Sequence, residues 1–346
     1  GRCFTGKPQG PLTISNNPDE RSWCREHLWQ NLRHPYLSML ARGEVQPFHT
    51  LFTYFRPFHE LNRLRAARYY GAQGEHSTEM ALTCGLQSGG IYGTDRRGRA
   101  PGDRENRWGG AVDVSPGLEL LQLMLDYADF THEERFLRQE VLPYARALFQ
   151  YVETRFPGRR DGKMVLAPLH SVETYHDTEN PITVIAGLRA VNERILRLPD
   201  NLLPDKDYFL RYSKQIPDWP CGQTPEGIPV FLPAERYENK RLNVEFPQLY
   251  AVMPFRCFAP GTPGYEQMLA TYRAYLGDFG LNKPFTLGET PSASSYSGWQ
   301  YISVCAALLG LTEDAATMLE HNCALKNPGT RFPAMWGPCY DAVPDT

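Results

Sequence analysis

The run Pro116-Gly117-Leu118-Glu119-Leu120-Leu121-Gln122-Leu123-Met124-Leu125-Asp126-Tyr127-Ala128-Asp129 sets the expected fold class. Leu118, Leu121, Met124, Leu125 and Ala128 fall at helical spacing and make one apolar face. A short turn at Phe130-Thr131 leads into Glu133 to Phe156, where Phe136, Leu137, Val141, Ala145, Leu148 and Val152 repeat the pattern. Thr131 followed by Glu134 has capping-box spacing, and an acidic first turn suits the helix dipole. Pro143 predicts a kink or a boundary, since it lacks an N–H and crowds the preceding turn. The same helix–turn–helix grammar returns at Trp299 to Leu309 and Thr312 to Cys323.

Working outward, further helices are expected over Pro18 to Ala41, Pro47 to Tyr70, Pro181 to Leu198, Asp207 to Ile216, Pro247 to Phe258 and Gly264 to Leu276. Long loops rich in Gly, Pro and aromatics lie between them, at 87–108, 157–180, 217–246, 277–297 and 324–346. Loops this long in a compact domain usually carry function. No strong alternating strand is visible, and Lys163-Met164-Val165-Leu166 could make at most a short hairpin arm. The expected fold is therefore all-α: an (α/α)6-type toroid, or helical barrel, forming a single domain over 1–346 with cleft-building loops. An α-solenoid is the alternative, but no fixed repeat of solenoid length appears.

The 346 residues are 42% hydrophobic and 22% charged, with formal net charge −3. That hydrophobicity excludes a disordered chain, and the charge lacks the basic footprint of an electrostatic nucleic-acid binder. No apolar run approaches the roughly 20 residues of a membrane span. Eight cysteines are spread without a C-x-x-C pair, which gives no support to a zinc ribbon or a thioredoxin-type motif. Cys305, in Val304-Cys305-Ala306-Ala307-Leu308, reads as a buried thiol. The start at Gly1-Arg2-Cys3 and the stop at Asp345-Thr346 read as the ends of a piece cut from a larger protein with additional domains, any export signal lost with the front.

Phosphate-loop, dinucleotide, nucleophile-elbow and zincin motifs are absent, so the chemistry must come from carboxylates, imidazoles and aromatics in loops. The densest stretch is His170-Ser171-Val172-Glu173-Thr174-Tyr175-His176-Asp177-Thr178-Glu179-Asn180-Pro181. A glycosidase needs one carboxylic acid to protonate a leaving oxygen and a second carboxyl to activate water or attack. Glu173 is the candidate acid, because Val172 and Tyr175 could desolvate it. The plainer reading makes Asp177 and Glu179 the solvated start of the next helix. A second stretch, Gly71 to Met80, holds Gln73, His76 and Glu79; if helical after Gly74, it would put Glu75 and Glu79 on one face at i, i+4.

Aromatic platforms beside acids suit pyranose rings, which stack on C–H faces while their hydroxyls bond carboxylates. Trp336, with Asp341 following, Trp108 before Gly109-Gly110, and Trp299 after Ser297-Gly298 are candidates, though a lone Trp is more often core. In Asn243-Val244-Glu245-Phe246-Pro247 polar groups again precede a Pro-initiated helix, with N-capping as the plainer reading. Glu119 lies on an apolar helix face. It is either paired with an Arg or points into a polar centre.

The order of these segments resembles the catalytic barrel of glycoside hydrolase family 95, the α-L-fucosidase and α-L-galactosidase group, and more closely that family's uncharacterised bacterial relatives. The resemblance runs from about Phe48 to Asp345. It is carried by Tyr69-Tyr70-Gly71 with Glu79-Met80, Trp108 through Tyr127, Val172 through Pro181, Asn243 through Val252, and Trp336 through Asp341. It implies an inverting, exo-acting hydrolase needing no metal or organic cofactor. Pro168-Leu169-His170-Ser171-Val172-Glu173 resembles the family's general-acid segment, and Asp341 falls where its activating aspartate stands. The family's two water-orienting asparagines are missing; Gln73, His76 and Glu79 occupy the corresponding stretch.

Expected roles follow. Glu173 acts as acid, and Asp341, with Glu79, as base. Trp108, Glu119, His170, Tyr175, His176, Asn180, Glu245, Trp299, Trp336, Gln73 and His76 line the carbohydrate subsites. Inversion would set the acid and base about 6.5–9.5 Å apart. The expected partner is a carbohydrate, with no nucleic acid, and the expected location is secreted or periplasmic. The rivals are a polysaccharide lyase using Tyr175 or His176 as base, a phosphorylase thinly supported by Ser292-Ala293-Ser294-Ser295, and a non-catalytic glycan-binding protein.

Overall fold

Helices are the main element of the computed structural model, which describes residues 26–82, 84–86, 113–243, 245–279 and 301–324. These residues fall into two compact units. The first gathers the described residues up to His170 together with Gly187–Asp218. The second gathers Ser171–Ala186 and the described residues from Trp219 onward.

The all-α toroid is corrected here, because nine short strands among the described residues pair into small sheets, giving a mixed α/β chain. Most of them fall in stretches read as loops. Arg159–Arg160 pairs with Lys163–Met164, Cys221–Gln223 with Pro229–Phe231, and Tyr175–Pro181 with Ala234–Arg236, all antiparallel. They escape a period-two search because they are two to seven residues long and interrupted. Tyr175–Pro181 also holds Asp177 and Asn180 at φ of 50° and 53°, a left-handed conformation that Asp and Asn tolerate best among non-glycines.

In the first unit, the helix Ser115–Thr131 matches the opening motif and buries Leu118, Leu121 and Leu125. The capping box does not form. The Thr131 hydroxyl donates back to the Tyr127 carbonyl, and the next helical turn, Glu134–Phe136, starts after Glu133 with no side-chain cap. Pro143 acts as expected through a particular device. It stands in the first turn of Leu142–Arg155, behind a π-helical segment, Leu137–Val141, in which Leu142 N–H reaches Leu137 O. The wider π turn fits a proline that cannot donate to the carbonyl four residues back.

Two other expected helices are shorter for the same reason. Pro47 to Tyr70 is split into Gln46–Phe55 and Phe58–Tyr70 at Pro57. Pro247 to Phe258 is reduced to a 3-10 turn, Pro247–Ala251, because Pro254 disfavours helix at Met253. The described part of Pro18 to Ala41 begins as a strand, Glu26–Leu28, followed by Trp29–Leu32 and His34–Met39. Helices Ile182–Leu196, Lys206–Gln215, Tyr265–Phe279, Ile302–Leu308 and Thr312–Ala324 agree with expectation within a few residues.

Aromatic clusters anchor each unit. Phe52 and Phe136 stack at 4.9 Å in the first, with Tyr127 edge-on to both at 5.4 and 5.0 Å. Trp219, Phe231 and Phe258 meet at 4.9–5.9 Å in the second. Such pairs add about 0.5–1.5 kcal/mol each beyond the area they bury. Cys305 is fully buried, as expected. No described helix is long and apolar enough to cross a membrane.

Candidate functional site

The second unit gathers the densest set of expected site residues around Glu173. Its carboxylate is half-buried and accepts a hydrogen bond from Asn243 Nδ2 at 2.6 Å. Its backbone N–H donates to Glu245 Oε2 at 3.1 Å. Glu245 is 2% exposed, and its other oxygen accepts from the Tyr250 hydroxyl at 3.3 Å. The Thr174 hydroxyl donates to the Glu245 carbonyl at 3.0 Å, so two consecutive residues are tied to one glutamate. Glu245 thus acts as a bracket for the Glu173 backbone.

His176 completes this group. Its ring is hydrogen-bonded to the Glu173 backbone; burial lowers its pKa, against the opposing effects of Asp177 and that bond. Val172, immediately before Glu173, sits at φ +47°. A β-branched residue there is a real backbone outlier, and such strain collects at functional sites. The turn into Glu173 is held from below by the Ser171 hydroxyl, which donates to the Pro233 carbonyl at 2.7 Å.

Tyr175, two residues after Glu173 and first in the strand Tyr175–Pro181, is buried with its ring 5.1 Å from Tyr237. Its hydroxyl accepts from Arg241 Nε at 3.2 Å. Asn180 is buried and donates to Glu235 Oε2 at 2.6 Å. Asp177 and Glu179 do not start a helix; they belong to the strand, where Glu179 is registered opposite Arg236.

Glu119 and Glu79 belong to a different constellation, in the first unit. The strand pair of Glu26–Leu28 with Met80–Leu82 brings the Trp29 N–H to the Glu79 carbonyl at 2.9 Å. Behind it, Glu119 accepts from Trp29 Nε1 at 3.0 Å and is salt-bridged to Arg33. This settles the two sequence alternatives for Glu119 in favour of pairing with an arginine. Glu79 accepts from the Gln30 N–H at 2.9 Å. Asp113 accepts from the Ser115 N–H and hydroxyl at 2.8 and 2.7 Å.

Arg33, Glu79, Asp113 and Glu119 are all at most 6% exposed. Burial raises the Glu79 pKa well above the usual carboxylate range. The Gln30 amide and Arg33 oppose that shift, while Asp113 and Glu119 add to it. Burial likewise pushes Asp113 up to about 6, against its Ser115 bonds and with Glu119 adding.

The condition of a helix after Gly74 is not met, since residues 71–79 run without helical structure. Glu75 and Glu79 therefore share no helix face. Glu75 is clamped by His59 and Arg63, each at 2.7 Å. His76 is buried, with Tyr70 edge-on to it at 4.7 Å and Tyr151 tilted against it at 5.1 Å. Gln73 is exposed and bonded to Gln150 and Thr154, and His170 is fully buried.

Trp108, Trp299, Trp336 and Asp341 lie outside the described residues. Arg33 and Asp113 in the buried network, and Arg241 beside Tyr175, were not singled out from the sequence. For Arg241 the only signal is its closeness to Asn243-Val244-Glu245. Among the described residues no group of three or more His, Cys, Asp or Glu is arranged to hold a metal ion. No family model matches this chain, and no curated protein matches its sequence.

Proposed function

We propose that this chain is a glycoside hydrolase in which Glu173 is the general acid. One observation carries the reading: a half-exposed carboxylate is fixed by an amide donor while a second, buried glutamate and an imidazole hold its backbone. A general acid has to meet the leaving oxygen in one geometry, and restraint on both side chain and backbone provides that. Asn243 positions the carboxyl, and Glu245, with both oxygens engaged, positions the peptide. Asp341 remains the proposed base, and the inverting outcome is proposed with it.

The test is NMR of anomeric protons during incubation with fucosylated, galactosylated and glucosylated oligosaccharides, wild type beside Glu173→Gln. Release of a sugar with inverted configuration, lost in the variant, is the expected result. Release that survives in Glu173→Gln removes Glu173 as the acid, and silence across the panel removes the hydrolase reading.

The Tyr175–Arg241 contact favours one rival. A polysaccharide lyase needs a phenol or imidazole to move a proton and a cation to neutralise a uronate, and these two groups stand 3.2 Å apart. An unsaturated product absorbing in the ultraviolet, lost in Tyr175→Phe, would select that reading.

A further inference from the structure

We infer that the first unit holds a second, separate binding site: an arginine-lined pocket that takes a small organic anion, a phosphate or carboxylate carried on an apolar body. The pocket has a volume of about 460 Å³, within the range of small-molecule sites. Arg63, Arg138 and Arg146 border it, with Asp205 as the one carboxylate among its lining residues. Its remaining walls include Leu142, Leu203 and Phe209.

The three guanidiniums are not equally satisfied. Arg63 shares its charge with Glu75 at 2.7 Å, and Arg138 with Glu134 at 2.7 Å. Arg146 stacks its guanidinium over the Tyr208 ring, 3.5 Å from the centroid, which fixes the plane of the group. Its Nε lies 3.7 Å from Asp205 Oδ2, too far for a good hydrogen bond. Its Nη1 is buried and has no hydrogen-bond partner among the described residues.

A buried charged donor left unmade is costly, and an anionic oxygen entering the pocket would satisfy it. Glu75 and Glu134 already offset Arg63 and Arg138, so the charge such an oxygen would meet is that of Arg146, whose Nε stands 3.7 Å from Asp205. The guanidinium forks favour a planar or tetrahedral oxyanion that accepts two bonds at once. The leucine and phenylalanine walls favour a ligand with an apolar moiety behind that anion. Arg146 presents its donor from a rigid element, the helix Leu142–Arg155.

Isothermal titration of the whole chain with phenyl phosphate, benzoate, inorganic phosphate and benzyl alcohol tests this. Saturable one-to-one binding of phenyl phosphate or benzoate is expected, weakened by salt, with whichever binds more tightly identifying the preferred headgroup. Inorganic phosphate, which leaves the apolar walls unused, should bind at least tenfold more weakly, and the neutral alcohol should not bind. Arg146→Gln should weaken binding by about tenfold or more, the scale of one charge-assisted hydrogen bond. Arg138→Gln, at an exposed position where the variant gives up only the i,i+4 pair with Glu134, should weaken it in the same direction. No saturable heat from either aromatic anion up to roughly 10 mM, or affinity unchanged in both variants, overturns the site.

Discussion

Asp113→Asn isolates the electrostatic cost of the buried carboxylate network. Asparagine keeps the oxygen that accepts the Ser115 N–H, and the Ser115 hydroxyl can turn to accept from the new amide. The entry to the helix Ser115–Thr131 is thereby preserved and only the charge is removed. Burial raises this carboxyl from 3.8 to about 6. At about 1.36 kcal/mol per pKa unit, that difference is worth about 3 kcal/mol. The folded state binds the proton more tightly than the unfolded state. Its contribution is therefore complete below pH 3.8 and is lost as pH rises through about 6. Asparagine mimics the protonated form at every pH. Urea unfolding should find the two proteins nearly equal near pH 4, and the variant more stable by about 2–3 kcal/mol near pH 7.5. Groups not coupled to Asp113 cancel in the difference, while Glu79, whose pKa Asp113 helps to raise, relaxes downward in the variant and adds to its gain as pH rises. A constant offset across that range, or a wild type that gains on the variant as pH rises, would refute the argument.

Two further perturbations probe the same unit. Arg33→Met leaves Glu119 buried without its cation, so a loss of about 3–5 kcal/mol is expected from the denaturation midpoint; a loss below about 1 kcal/mol would show the pair to be dispensable. Gly74→Ala should cost more than about 2 kcal/mol, because Gly74 sits at φ +86° and an added Cβ would lie 2.1 Å from the Ala147 carbonyl oxygen. A thermal unfolding midpoint unchanged in that variant would mean the loop does not pack on the helix as described.

The sequence was most legible where helical periodicity was long and uninterrupted, as at Leu118 through Ala128. It failed at proline-interrupted runs, where apolar spacing continues through a residue that cannot donate: Pro57 divides one expected helix, and Pro254 shortens another. It failed again at strands such as Tyr175–Pro181, too short and too bent at Asp177 and Asn180 for alternation to show. The crowding of Glu173 and His176 was readable because local sequence put them together. Asn243 and Glu245 join them from some seventy residues away, and their own polar cluster was the only hint. For Glu119 an arginine partner was one of two open alternatives, and nothing in the pattern pointed to Arg33, which arrives through the pairing of Glu26–Leu28 with Met80–Leu82.

The two compact units are threaded through one another along the chain, since Ser171–Ala186 belongs with residues that come after Asp218. No single cut in the gene can release one unit whole. A product ending at Asp218 would carry the strand Tyr175–Pro181 without Ala234–Arg236, and Glu173 without Asn243 and Glu245. During synthesis that stretch must wait for more than fifty residues to leave the ribosome before it can settle, which takes about 3–10 seconds at ordinary elongation rates. An unpaired strand edge is exposed for that interval, and it is there that a chaperone, or a second nascent chain, would find this protein most open to capture.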